Sequence, residues 1–273
     1  MVTEELEKKL NSLTIYNRTD DIIKFFEKEI KNSTLNHQFE FLFWLTDNQN
    51  LEVFKFLLNY PNIDIHMFED FCFRYSAGCG YLDLVKFFIK NGADIHSLKD
   101  GAFIWAASNG KLEVLNYLVS KKANIHARFD LALALAAKGG HLEVVKYLFN
   151  LGLSVTAGKN SPIKFASENG HTEVVRFLMQ RGADYHIDDE YPLRKALKNG
   201  HTELAKEFLR RGSNPNANNY ELLIWAIENR KLDILDLLLS SGGEADFFDK
   251  KYIKKAKEKK DYELKSLLES YLE

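Results

Sequence analysis

The stretch that decides the fold is Gly140-His141-Leu142-Glu143-Val144-Val145-Lys146-Tyr147-Leu148, closed a few residues on by Gly152. An acid stands where the first turn of a helix would welcome one, and Val144, Val145 and Leu148 share one stripe of that helix. The pattern recurs every 30 residues. One column holds Gly80, Gly110, Gly140, Gly170 and Gly200, with Arg230 in the next row. A second holds Gly92, Gly152, Gly182, Gly212 and Gly242, with Lys122 as the exception. Between them runs an acidic column, Asp83, Glu113, Glu143, Glu173, Glu203, Asp233 and Glu263. The register holds without a gap from about Phe68 to the C-terminus.

Each unit reads as two short helices. The first buries one face, as in Phe103, Ala106 and Ala107 or Leu133, Ala136 and Ala137, and its small alanines let a neighbouring helix approach closely. The glycine of the first column ends that helix in a left-handed cap, and the glycine of the second column closes the second helix. Units this short cannot bury a face alone, so they stack, and the fold class is all-α: a solenoid of helix-turn-helix repeats. Upstream, Asn50-Leu51-Glu52-Val53-Phe54 is the same second helix displaced by one residue, and Asp20-Asp21-Ile22-Ile23-Lys24-Phe25-Phe26 is a degenerate copy. The expected organisation is N-terminal capping helices over 1–36, about seven repeats over 37–247, and a C-terminal capping repeat over 248–273.

Gly140-His141-Leu142-Glu143-Val144-Val145-Lys146-Tyr147-Leu148 and Gly182-Ala183-Asp184-Tyr185-His186 resemble the ankyrin repeat, and the resemblance covers roughly residues 37–273. It implies an ankyrin-type helical solenoid and a function in protein–protein interaction, with the partner on the concave face. The 30-residue period with Ala-Asp-Ile-His is similar to the ankyrin proteins encoded by giant DNA viruses of amoebae, which implies a host protein as partner. The unit is shorter than the usual ankyrin repeat of about 33 residues. The shortening falls where ankyrins carry their hairpin finger, and the usual Thr-Pro-Leu-His survives only as Ser161-Pro162-Ile163-Lys164 and Tyr191-Pro192-Leu193-Arg194. Short, tight hairpin turns are expected there.

A formal net charge of -2 gives no global pull toward nucleic acid or a membrane surface. Acids in Met1-Val2-Thr3-Glu4-Glu5 and the lack of a long apolar run point to an intracellular, cytoplasmic protein, in the host cytoplasm if viral. Cys72 and Cys79 lie seven apart in one predicted helix, about 10 Å from each other, too far for a disulfide. The repeat accounts for His66, His96, His126 and His186 in one loop column and for His141, His171 and His201 after the glycine; His37 has no ligand neighbour. No metal and no cofactor are expected. Ser167 and His171 do not make a nucleophile pair, because a helix end separates them and Ser167 takes an alanine's place as a satisfied core serine. No catalytic residue emerges, and the chain reads as a binding protein and not an enzyme, with no small-molecule substrate and no membrane partner.

Positions that recur hold the fold, so positions that vary are free to read a partner. The residues before the glycine vary: Ser108 and Asn109, Lys138, Glu168 and Asn169, Lys198 and Asn199, Glu228 and Asn229. So do the turns, with Arg128 and Phe129 in one copy and Asp188 and Asp189 in another. These thirteen residues are the expected partner-binding set. Tyr75, Trp105, Phe165 and Trp225 share a helix column that borders this face or lies under the turns. Phe39, Phe41, Phe43, Trp44, Phe54, Phe56, Phe68, Phe71 and Phe73 crowd the N-terminal units, as core or, where exposed, as a docking patch. The lysines at 250, 251, 254, 255, 257, 259 and 260 read as the polar outer face of the last repeat; the alternative is a nucleic-acid or anion site.

Overall fold

The computed structural model describes residues 8–10, 12, 19–244 and 249–272. The acidic residues 1–7 and the side chains of Lys250 and Lys251 lie outside the described residues. Among the described residues all regular structure is helical. The chain divides into two compact units, one of residues 1–136 with 143–153 and one of residues 137–142 with 154–273.

The first unit begins with α1 (Thr19–Phe25), which runs on as a π-helical turn over Phe26–Ile30, and the pair α2 (Leu35–Asp47) and α3 (Leu51–Leu57). The regular pairs follow: α4 (Met67–Cys79) with α5 (Leu82–Lys90), and α6 (Ser97–Ser108) with α7 (Leu112–Ser120). The next pair is α8 (Ala127–Lys138) and α9 (Leu142–Asn150). The second unit holds α10 (Ala157–Glu168), α11 (Thr172–Gln180), α12 (Ile187–Lys198), α13 (Thr202–Arg210), α14 (Ala217–Glu228), α15 (Leu232–Ser240), α16 (Asp249–Glu258) and α17 (Tyr262–Ser270). First helices pack on first helices, α4 against α6 and α10 against α12, because the alanine positions leave room. Phe73, Phe88, Phe103 and Leu115 fill the core of the first unit, and Ile163, Val175, Leu193 and Phe208 that of the second, all without accessible surface. Each such side chain contributes about 1.5–3 kcal/mol by leaving water.

Both glycine columns take positive φ, and so do Lys122 (φ 69°) and Arg230 (φ 53°), their non-glycine members. The register therefore dictates the backbone. At Gly140 a second demand is added: a Cβ there would lie 2.5 Å from the His171 ring, whose Nε2 bonds the Lys138 carbonyl at 2.8 Å. His201 makes the same bond to the Glu168 carbonyl at 3.1 Å, so the histidines after the glycine tie one first helix to the next pair.

The shortened finger is not a hairpin. At the start of α4, α6, α8, α10, α12 and α14 lie three consecutive left-handed residues: Phe68-Glu69-Asp70, Leu98-Lys99-Asp100, Arg128-Phe129-Asp130, Gly158-Lys159-Asn160, Asp188-Asp189-Glu190 and Asn218-Asn219-Tyr220. For residues other than glycine this conformation costs about 1–2 kcal/mol each. The third residue supplies the offset. Asp100 is buried and accepts from the backbone N–H of Asn124, in the next repeat, at 2.7 Å, with the His96 ring at 2.9 Å. Asp70 does the same for the N–H of Asp94 (3.0 Å), Asn160 for that of Asp184 (3.2 Å) and Glu190 for that of Asn214 (3.0 Å). Arginine side chains cover the strained carbonyls: Arg74 donates to those of Phe68 and Glu69, Arg128 to that of Leu98, and Arg194 to those of Asp188 and Asp189. The Asp of Ala-Asp-Ile-His closes the preceding loop by accepting from the histidine N–H, as Asp94 does from His96 at 2.9 Å. Pro162 and Pro192 fall just past the left-handed turn, in the first turn of the right-handed helix, where no N–H is missed.

One core expectation is corrected. Ser167 is fully buried, but its hydroxyl has no hydrogen-bond partner, so it is not the satisfied serine expected. Asp100→Ala should leave the Asn124 amide without its acceptor and lower stability by about 1–3 kcal/mol, measured by urea unfolding. Asp100→Asn, which copies Asn160, should recover most of that loss; equal losses in the two variants would show that the side-chain acceptor does not hold the turn.

Candidate protein-binding face

The exposed side of the first helices differs between the units. In the first unit Phe71 and Tyr75 stand one turn apart on α4, and Trp105 occupies Tyr75's position on α6. Phe39 and Phe43 of α2 complete the cluster, all half-buried. Phe43 meets Tyr75 (ring centroids 4.9 Å apart) and Phe71 (5.9 Å), and Phe71 meets Trp105 edge-on (6.2 Å). These rings line an open cleft of about 430 Å³ together with Gly78, Cys79, Ser108 and Asn109. Beneath, the buried guanidinium of Arg74 lies over the rings of Phe71 (5.7 Å) and Trp105 (5.4 Å). The phenol of Tyr75 donates to the exposed carboxylate of Asp47 at 2.9 Å. Burial, then that bond to Asp47 and one to Cys79, pushes the Tyr75 hydroxyl well above the usual phenol range. Burial likewise pushes the Cys72 thiol up to about 11, and Cys79 is the more accessible of the two cysteines. The turn tips beside this face carry Phe68, Leu98 and Phe129, exposed to 55%, 40% and 89%.

In the second unit the corresponding face is laced with ion pairs. Lys195 pairs with Glu168 (3.1 Å) and Lys164 with Asp188 (2.6 Å), and both lysines lie over the Tyr191 ring at 5.4 and 5.7 Å. Glu221 is held by Arg194, Lys198 and Asn218. Partial burial pushes its carboxyl up, but the bonds from Lys198, Asn218 and Arg194 outweigh that and bring it down to about 2.

The expected partner-binding residues fall into four groups. Ser108 and Asn109 line the aromatic cleft, Asn109 also donating to the Gly78 carbonyl at 3.0 Å. Phe129, Lys138, Asp189 and Glu228 point side chains into solvent, whereas Arg128 is spent on the Leu98 carbonyl. Glu168, Asp188 and Lys198 are taken up by the ion pairs above. Asn199 donates to the Glu168 carbonyl, and Asn169 and Asn229 donate to carbonyls one turn back in their own helices. Asp47 and Cys79 were absent from the expected set, and their signal was positional: each follows an aromatic residue of the cluster by four. Among the C-terminal lysines whose side chains are described, Lys254 faces Glu258 at 3.9 Å, while Lys255 and Lys259 line a cleft of about 240 Å³ with Arg230. Arg230 is bound there by Asp261 and Glu263.

Stacked helix pairs that share a core pattern but differ in their exposed side chains define a repeat protein whose chemistry lies on its surface. The sequence profile of Ankyrin repeats (3 copies) matches residues 42–129, 73–158, 103–189 and 165–250, and the chain belongs to the ankyrin-repeat family. No curated protein sequence matches it.

A carboxyl that titrates lower in the folded than in the unfolded chain stabilises the fold above its unfolded pKa, and the gain disappears as pH falls through the folded value. For Glu221 the window runs from the ordinary carboxylate range, about 4.3, down to about 2. Glu221→Gln should therefore flatten the acid dependence of the urea midpoint across that window; an unchanged slope would contradict the pairing with Arg194 and Lys198.

Proposed function

We propose that the chain is a non-catalytic scaffold that holds a partner protein on the first-helix face, concave in ankyrin repeats, with the aromatic cleft of the first unit as its anchor. Ankyrin repeats generally mediate protein–protein interaction, and the observation that supports this location is the half-exposed cluster of Phe43, Phe71, Tyr75 and Trp105. Large rings of this kind, partly desolvated beforehand, are the usual anchors of an interface. The repeat pattern does not require them, since Leu135 stands in the same column as Tyr75 and Trp105. Exposed Phe68, Leu98 and Phe129 extend the apolar surface along the turns. The ion-paired face of the second unit is the weaker candidate, because a partner would have to break pairs already made. The 30-residue period supports a narrower reading, a viral ankyrin protein with a host protein as partner.

A photo-crosslinking residue placed at Ser108 should capture a partner from lysate, whereas the same residue at Glu113, on the second helix, should not. Trp105→Ala should abolish the capture while leaving the melting curve cooperative. Equal crosslinking from both positions, or capture that survives Trp105→Ala, would contradict this placement.

A further inference from the structure

We infer that the aromatic cleft between α2, α4 and α6 takes a basic side chain, an arginine or lysine on an exposed segment of the partner, with Asp47 as counter-ion. The inference rests on the first-helix face being the binding face. Its ground is charge complementarity. The faces of Phe43, Phe71, Tyr75 and Trp105 are electronegative, and tryptophan is the best of the ring types at attracting a cation. Among the described residues no lysine or arginine lines the cleft. Asp47, one hydrogen bond from it through the Tyr75 hydroxyl, has no cationic partner among the described residues, whereas on the second unit's face Glu168 pairs with Lys195 and Glu221 with Arg194 and Lys198. The protein itself sets a guanidinium against two of these rings, Arg74 over Phe71 and Trp105, with its N–H groups spent on backbone carbonyls.

An apolar occupant fits less well. It would cover the Tyr75 hydroxyl and leave the exposed Asp47 carboxylate that accepts from it without a counter-charge. A guanidinium satisfies both demands, because its plane stacks on the rings and its N–H fork matches a carboxylate. Arginine should therefore be preferred to lysine.

The test is selection of a displayed random-peptide library on the full chain, run in parallel on Asp47→Asn and Trp105→Ala. Asp47 is exposed, so Asp47→Asn keeps the test open should Trp105→Ala fail to fold. The wild type should enrich peptides with arginine or lysine at one fixed position. A synthetic peptide from that pool should bind about tenfold more weakly to Asp47→Asn, and by a similar factor when its basic residue is exchanged for citrulline or norleucine. It should also slow alkylation of Cys79, which lines the cleft. Enriched peptides that depend on Trp105 but carry no basic position would overturn this inference and leave the first-helix face standing as the binding face. Absence of any enrichment that Trp105→Ala removes would overturn it too, with the face itself then judged by the crosslinking experiment.

Discussion

The hydrogen bond on which this repeat depends runs from a backbone N–H to an acid or amide 24 residues earlier: Asp94 to Asp70, Asn124 to Asp100, Asp184 to Asn160, Asn214 to Glu190. Without it, three left-handed residues in succession would be a local cost offset only by the arginines that cover some of their carbonyls. With it, the turn of one repeat is fastened to the loop of the next, so each left-handed turn is a joint between neighbours. The same geometry shapes the surface. The first two residues of each turn face solvent while the third turns inward, and this is why Phe68, Leu98 and Phe129 are exposed beside a well-packed core.

The two units put one scaffold to different uses. Recurring alanines and leucines set the helix spacing, and the half-exposed positions between them are left free. The first unit clusters rings there, whereas the second keeps half-buried rings at Phe165 and Trp225 and adds charges that neutralise one another at Glu168, Lys195, Lys198 and Glu221. Apolar rings that gain from being covered suit recognition of a partner. Charges already paired gain little from a partner and more from staying as they are.

Much of the fold was legible because it follows from local demands. A glycine column announces positive φ, an acid announces a helix start, and Ala106-Ala107 and Ala136-Ala137 announce close helix packing. The left-handed turns were not legible. Nothing in Leu98-Lys99-Asp100 or Arg128-Phe129-Asp130 asks for positive φ, and the strain is offset by a contact in the following repeat that no local window contains. Their trace in the sequence is the column Asp70, Asp100, Asp130, Asn160, Glu190, which reads as variable polar loop until its partner amides are known. The candidate site was legible in part. Tyr75 and Trp105 stood out as one aromatic column, but which charged residues of the varying set were already paired depended on side-chain reach between repeats, as with Lys198 and Glu221.

Amide hydrogen exchange at Asp94, Asn124, Asp184 and Asn214 tests the joint between repeats most directly. Each of these residues lies in a loop with its side chain exposed, yet each donates its backbone N–H to an acid or amide of the preceding turn. Protection approaching that of the helix cores is the expected result. Exchange as fast as that of unstructured loop amides would contradict the account, since the left-handed turns would then lack their bond to the loop of the next repeat.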